Sequence, residues 1–286
     1  MNVLTTYRSL GAEQKQILRD KKVDLHKPID EVLALLRPLA ACDKVADKSR
    51  TKLGCSFGIG VVLTIVLAFV LTGAGWSALT LLLIGSLAIV AIGLGVLYFF
   101  TRRIDLSNNF RDFALPVLTV FREDFDGAKP VRLKLNLDPP TAASKKTAES
   151  APYKHGVYHK VIDTTYVDPW MSASAVLVDG TKVSWSVTDE VRERKKTKKN
   201  ARGKYKSKTK YRKKTDLEVE VALLKKTYAM NPVSDGEVSS DEKRNKVKLE
   251  REIRSESLDP LDPKALIDLV ADVYRSTRRP VKEAGA

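Results

Sequence analysis

The side chains in this chain best placed to do chemistry are cations. Residues 195 to 214 read KKTKKNARGKYKSKTKYRKK, twelve lysines and arginines with no acid among them. From Lys204 the charges keep a period of two: Lys204, Lys206, Lys208, Lys210, Arg212 and Lys214 are basic, and Asp216, Glu218 and Glu220 continue the parity as acids. The odd positions run Tyr205, Ser207, Thr209, Tyr211, Lys213 and Thr215, then Leu217, Val219, Val221 and Leu223. Such a repeat sends alternate side chains to opposite faces of a β-strand. The chemistry on offer is recognition of anions. Lys195, Lys196, Lys198, Lys199, Arg202, Lys204, Lys206, Lys208, Lys210 and Arg212 are the candidate polyanion-binding residues.

Several partners fit that pattern. Beside an anionic leaflet each cation contributes about 1 kcal/mol, so a few contacts suffice. Nucleic acid is a second reading, with Tyr205 and Tyr211 placed to stack on bases, and an acidic protein is a third. A fourth needs no external partner: the lysines oppose edge-to-edge aggregation, or pair with the acidic segment SDGEVSSDE at 234 to 242.

Signals for catalysis are missing. The chain has no phosphate-binding glycine loop ending in Lys-Ser or Lys-Thr, no nucleophile elbow and no Cys-x-x-Cys. His155 and His159 stand four apart, which on a helix suits a metal, but the flanking residues read as strand entry, where the two lie far apart. His26 reads as a surface residue. Asp163, Asp168 and Asp179 flank strands and turns, where aspartate is common. The sequence therefore predicts no enzyme, cofactor or metal.

The elements that must carry the cations begin with a membrane anchor. Leu53 to Thr101 is a 49-residue stretch without a charge, more than twice the length needed to cross a hydrocarbon core of about 30 Å as a helix. It predicts two spans, about 53–71 and 76–100, joined by a turn in TGAG at Thr72 to Gly75, with Trp76 at the headgroups. Lys44, Lys48, Arg50 and Lys52 precede the first span and Arg102 and Arg103 follow the second, so both flanks, and both termini, are expected in the cytoplasm, at the inner face of a cell membrane. Gly54 with Gly58, Ser56 with Gly60, and Ala91 with Gly95 have small-xxx-small spacing, which suits close packing within the hairpin or between copies in a homo-oligomer. Apart from the Cys55 thiol and the Tyr98 phenol the spans hold no ionisable side chain, and no acid, base or histidine, which argues against an ion-coupled transporter or a charge-lined pore. Cys42 and Cys55 read as structural, without a disulfide.

The rest divides by composition. Residues 1–52 read as a helical segment, with AEQKQILRD at 12–20 and a stripe of Ile29, Val32, Leu33, Leu35 and Leu36 at 28–40; the soluble domain, a second copy or lipid must cover that stripe. Residues 102–138 give a juxtamembrane helix broken or kinked at Pro116, then the alternating strand VRLKLNLD at 131–138. Residues 139–152, rich in Pro, Ala and Ser, read as linker or long loop. Residues 153–280 form an antiparallel sheet: strands at 157–167 and 171–178, a hairpin at Asp179-Gly180 into 181–191, the basic strand, a further strand at 245–253 whose charged residues would also suit a helix, and a closing helix capped by Asp262 and Pro263. That helix buries Leu266, Ile267, Leu269, Val270, Val273 and Tyr274, with Arg275, Arg278 and Arg279 at its end and Pro280 stopping it; 281–286 is a tail. The strand from 181 to about 197 pairs with the basic strand through NARG at 200–203, and eleven residues of about 3.3 Å make an arm of roughly 35 Å beyond the core.

The fold class is thus a membrane α-helical hairpin plus a cytoplasmic α+β domain with a mainly antiparallel sheet, a long basic β-hairpin arm and a C-terminal helix. The function class is a non-catalytic tethered interaction module, with a homo-oligomeric membrane assembly (pore or effector type) whose cytoplasmic domain senses or gates, or a nucleic-acid binder, as alternatives. The net charge of +15 favours polyanionic partners.

Overall fold

The computed structural model describes residues 3–72, 78–200, 202–230 and 236–278. It forms two compact units, Met1–Asp20 with Leu36–Leu106, and Lys21–Leu35 with Ser107–Ala286.

The first unit is helical. It contains α1 (Val3–Arg8), α2 (Ala12–Asp20), most of α3 (Ile29–Thr72) and α4 (Ala78–Arg103). Helices α3 and α4 are each long and apolar enough to cross a membrane. Of the turn expected at Thr72 to Gly75, Thr72 is the last residue of α3, while residues 73–75 and Trp76 lie outside the described residues. Helix α3 corrects the expected division into a short helix and a separate span, because it runs unbroken through Pro38. The segment ACDKVADKSRTK that follows holds no glycine or proline to stop it. A break does occur after α4, at residues 104–107, where a continuous helix was expected. Asp43, fully buried, accepts a hydrogen bond from the Leu106 N–H there at 2.9 Å, so a side chain from α3 replaces the bond a helix would have made.

The second unit is built on one large antiparallel sheet. Its strands are β1 (Lys22–Lys27), β2 (Val131–Asn136), β3 (Lys146–Glu149), β4 (Tyr153–His155), β5 (Tyr158–Val176), β6 (Lys182–Lys199) and β7 (Tyr205–Leu224). Strands β9 (Gly236–Ser240) and β10 (Arg244–Ser255) complete it, in the order β1-β2-β5-β6-β7-β10-β9, with β3 and β4 pairing on β5. A small separate pairing joins β8 (Ala229–Met230) to β11 (Thr277–Arg278). Strand β1 lies in a segment expected to be helical; Val23 and Leu25 are buried between exposed Lys22, Asp24 and His26, an alternation too short to stand out. Segment 245–253 is a strand, within β10.

One face of the sheet carries the core. Val183, Trp185 and Val187 of β6 and Leu217, Val219, Val221 and Leu223 of β7 are all buried, as their alternation predicts. A π-helical turn at Phe110–Ala114 lays Phe113 against Trp170 and leads into α5 (Leu115–Phe121), which lays Phe121 against Trp185, centroids 5.5 and 5.6 Å apart. The wider turn falls where Pro116 lacks an N–H and would crowd the carbonyl of Asp112. Ile29, Val32 and Leu33 are buried within this same unit, so the chain itself covers that part of the stripe. Helix α6 (Lys264–Arg275) buries Leu266, Leu269, Val270 and Val273, leaves Ile267 and Tyr274 half-buried, and has the Asp262 carboxylate on the Lys264 N–H at 2.9 Å. It stops at Arg275, and Arg278 lies in β11 instead of the helix; Arg279 and Pro280 fall outside the described residues.

Two further expectations are corrected. Strand β5 is continuous through Pro169-Trp170, because a bulge between Pro169 and Met171 absorbs the proline where no ladder donor is needed. The expected linker at 139–152 is ordered by a 3-10 turn at Ala143–Lys145 and by β3, and Lys145 is buried.

Candidate polyanion-binding face

The basic segment is a hairpin with one unbroken register, from Lys182 opposite Ala222 to Lys199 opposite Tyr205. Asn200 makes its turn: the side-chain carbonyl accepts the N–H of Arg202 at 3.1 Å and of Lys204 at 2.8 Å, and Gly203 takes φ +79. That register sorts the cations by face. Arg192 lies opposite Arg212, Arg194 opposite Lys210, Lys196 opposite Lys208 and Lys198 opposite Lys206. All eight stand on the face turned away from the buried Val183, Trp185, Val187 and Val191. Lys195 and Lys199 occupy the other parity, and Arg202 and Lys204 stand at the tip.

Directly opposed like charges destabilise a strand pair. Four such pairs in succession gather positive charge on one face at a cost to the strand pair. Among the described residues one carboxylate relieves it. Asp163 of β5 accepts from Arg194 Nε at 2.6 Å and Nη2 at 2.9 Å, from Arg192 Nη2 at 2.6 Å and from the Tyr153 hydroxyl at 3.0 Å. The Arg194 guanidinium, helped by Arg192 and Tyr153 against partial burial, holds the Asp163 carboxyl well below the usual carboxylate range. No ion pair joins any of the ten candidate cations to a described acid. The described acids of the 236–242 segment sit elsewhere: β9 pairs with β10 at Asn245–Leu249, which faces Leu223–Val219 of β7, and Asp241 pairs with Lys246. Residues 234 and 235 fall outside the described residues.

The arm differs from the expected two-stranded projection. Strand β5 accompanies β6 outward as far as Lys160 opposite Thr197, and β3 and β4 back β5 in turn. The other side is open. Strand β10 stops at Ser255 opposite Lys213, so among the described residues no strand pairs with the edge of β7 away from β6 from Arg212 to Tyr205, and half of its backbone N–H and C=O groups there face outward.

No family model, curated protein or solved structure matches this chain.

Of the residues considered for other chemistry, His155 and His159 are placed on either side of a tight turn, in β4 and β5, with the His159 ring against Tyr205 at 5.1 Å. Among the described residues one group of acids could approach a metal: Asp43, Asp47 and Asp105, with ligand oxygens within 4.8 Å. Arg50 already lies on it, paired with Asp47 at 3.2 Å and with Asp105. Cys42 is buried and Cys55 exposed, both as free thiols.

The small residues of the apolar helices separate into two sets. A Cβ at Gly60 would sit 3.4 Å from the Cβ of Ala91, one at Gly54 would sit 3.1 Å from Tyr98, and one at Gly95 would sit 2.9 Å from Phe57. Gly58 meets nothing within 4 Å, and Ser56 is exposed. Gly95→Leu is expected to cost about 1–3 kcal/mol by overpacking, read as an earlier unfolding midpoint in detergent. Gly58→Leu should leave that midpoint unchanged.

The sequence did not single out a buried polar cluster behind the cationic face. Asp168 and Asp189 are directly opposite one another on β5 and β6 with 1% exposure each. Lys145 donates to Asp168 Oδ2 and to the Asp138 carbonyl, both at 2.8 Å. Asn109 donates to Asp189 Oδ2 at 3.0 Å and Thr215 to Oδ1 at 2.5 Å. Asp168 Oδ1 is buried without a hydrogen-bond partner, and burial, only partly offset by Lys145, pushes the Asp168 carboxyl up to about 6. The available signal was aspartate at alternate-face positions inside strands, where propensity disfavours it.

Proposed function

We propose that the protein is a membrane-anchored, non-catalytic binding module. In this reading α3 from about Leu53 and α4 cross a cell membrane as a hairpin with both termini in the cytoplasm, and the cationic face of the sheet binds anionic lipid. The anchor is supported by the exposure of large apolar side chains along both helices, including Phe69 at 82%, Leu82 at 74% and Ile89 at 72%. A protein in water rarely leaves so continuous an apolar surface uncovered. Cations flank the apolar stretch at both ends, which favours cytoplasmic ends.

The observation that carries the binding function is the run of four opposed cation pairs on one face. Charges gathered on one plane suit an anionic surface, where each adds about 1 kcal/mol. Nucleic acid fits less well. Tyr205 and Tyr211 have the opposite parity from the eight cations, so a strand lying on the cations meets neither ring. A second reading, assembly of several copies through the outward Ser56 and Gly58, is tested by mass in mild detergent; a monomer removes it.

The test uses the full chain in neutral nanodiscs. Wild-type discs should pellet with vesicles containing anionic lipid and stay in solution with neutral vesicles. Replacing Lys204, Lys206, Lys208, Lys210 and Arg212 with serine should abolish pelleting. Unchanged pelleting of that variant would remove the lipid reading.

A further inference from the structure

The inner end of the cationic rows is concave. A cleft of about 500 Å³ opens there, lined by Arg192, Arg194 and Lys196 from β6, by residues 209–212 of β7, and by Glu256, Ser257 and Leu258 from the segment after β10. Its volume is in the range of small-molecule sites. Five cations, Arg192, Arg194, Lys196, Lys210 and Arg212, face one lining carboxylate, Glu256, and two of the five, Arg192 and Arg194, are also paired with Asp163 outside the lining. Other grooves on the sheet are more balanced: the adjoining one of about 450 Å³ contains both Glu190 and Glu256, and Lys214 in it is already paired with Asp216 and Glu252.

Two features make this a site for a particular kind of anion. First, Asp163 holds two guanidiniums from behind. It takes Arg192 through Nη2 and Arg194 through Nε and Nη2, which leaves Nε and Nη1 of Arg192 and Nη1 of Arg194 as oriented donors. Arginines fixed in this way suit the tetrahedral oxygens of phosphate. Second, the charge is dense. Strands about 4.8 Å apart, with same-face residues about 6.7 Å apart along each, give one cation per roughly 32 Å², less than the footprint of a phospholipid. Singly charged headgroups cannot pack closely enough to neutralise such a surface; a compact group bearing several phosphates can.

We infer that this cleft is a binding site for a small ligand with two or more phosphate groups, either as a lipid headgroup or as a free molecule. The inference rests on the reading of the cationic face as anion-binding, and narrows it to one place and one ligand class.

The experiment titrates the full chain in neutral nanodiscs with inositol trisphosphate and, separately, with inorganic phosphate at matched ionic strength, by calorimetry. Two variants remove equal charge from the same face: Lys196→Ser/Lys210→Ser/Arg212→Ser inside the cleft, and Lys198→Ser/Lys206→Ser/Lys208→Ser outside it. Expected are saturable binding of the trisphosphate, a loss of about tenfold or more in the cleft variant, and a clearly smaller loss in the outer one, because contact hydrogen bonds are local while Lys198 and Lys208, beside Lys196, act on the ligand only through their field. Equal losses in the two variants, or no preference over inorganic phosphate, would overturn the cleft while leaving the lipid-surface reading intact if vesicle pelleting persists. Failure of both the titration and the pelleting sinks both. Repeating the titration in discs that contain a bisphosphorylated inositol lipid identifies the source: occlusion of the soluble ligand assigns the site to lipid, and undiminished binding assigns it to the free molecule.

Discussion

Lys145→Met is expected to destabilise the sheet unit by about 3–5 kcal/mol at neutral pH, and by much less near pH 4. Methionine keeps the buried hydrocarbon stem and removes the ammonium. What remains is Asp168, 1% exposed, with one oxygen already lacking a partner and Asp189 directly across the strand pair. An unpaired charge in such a place is costly, whereas a protonated carboxyl there is tolerable. The measurement is denaturant unfolding followed by tryptophan fluorescence, since Trp170 and Trp185 both lie in this core. A loss that stays the same from pH 7.5 to 4 would mean that Lys145 acts only through its bond to the Asp138 carbonyl and through packing.

The sign of the pH effect follows from protons bound. The folded Asp168 carboxyl titrates at about 6, against about 3.9 for an unfolded aspartate. Between these values the folded chain holds the extra proton, so Asp168 favours folding below about pH 4 and progressively loses that advantage as pH rises to about 6. Asp163 works oppositely: its carboxyl is held low by Arg194 and Arg192, so its contribution is present above about pH 4 and disappears as pH falls below. In Lys145→Met the Asp168 carboxyl rises further, because the charge that opposed the rise is gone. The deficit of the variant therefore shrinks as the medium becomes acidic and both proteins protonate Asp168.

Which features were legible in the sequence depends on whether their cause was local. The basic hairpin was legible because its register is written as parity over about twenty residues, and parity survives any tertiary context. The buried odd positions of β7 and the apolar face of α6 are legible for the same reason. Strand β5 reads as two pieces in the sequence because Pro169 is a break in isolation and a bulge only when β6 lies beside it. Strand β1 was missed because six residues between helices show their alternation only against β2. The buried cluster was illegible for a related reason: Lys145, Asp168, Asp189, Asn109 and Thr215 come from five separate stretches, and each alone reads as a surface residue. Asp163 shows the same limit. Its place among the arginines is set by the offset of β5 on β6, which no spacing within either strand records.

Lys206→Glu/Lys208→Glu is expected to weaken binding to anionic vesicles by more than about 30-fold, since two lost attractions of about 1 kcal/mol each already give that factor before the new repulsion is counted. The same change should stabilise the fold. Lys206 lies opposite Lys198 and Lys208 opposite Lys196, so each substitution turns a repelling cross-strand pair into an attracting one. A structural role for the cations, such as keeping sheet edges apart, predicts otherwise: the variant would then aggregate or melt earlier, because a second copy could pair on the open edge of β7 with alternating charges now complementary. Vesicle pelleting, melting temperature and oligomeric state, measured together on one variant, therefore separate the two origins of the charge. Weaker pelleting with a higher melting temperature and no aggregation means that the repulsion is maintained for the sake of a ligand. Unaltered pelleting with aggregation means that the lysines protect an edge, and the binding face must be sought elsewhere.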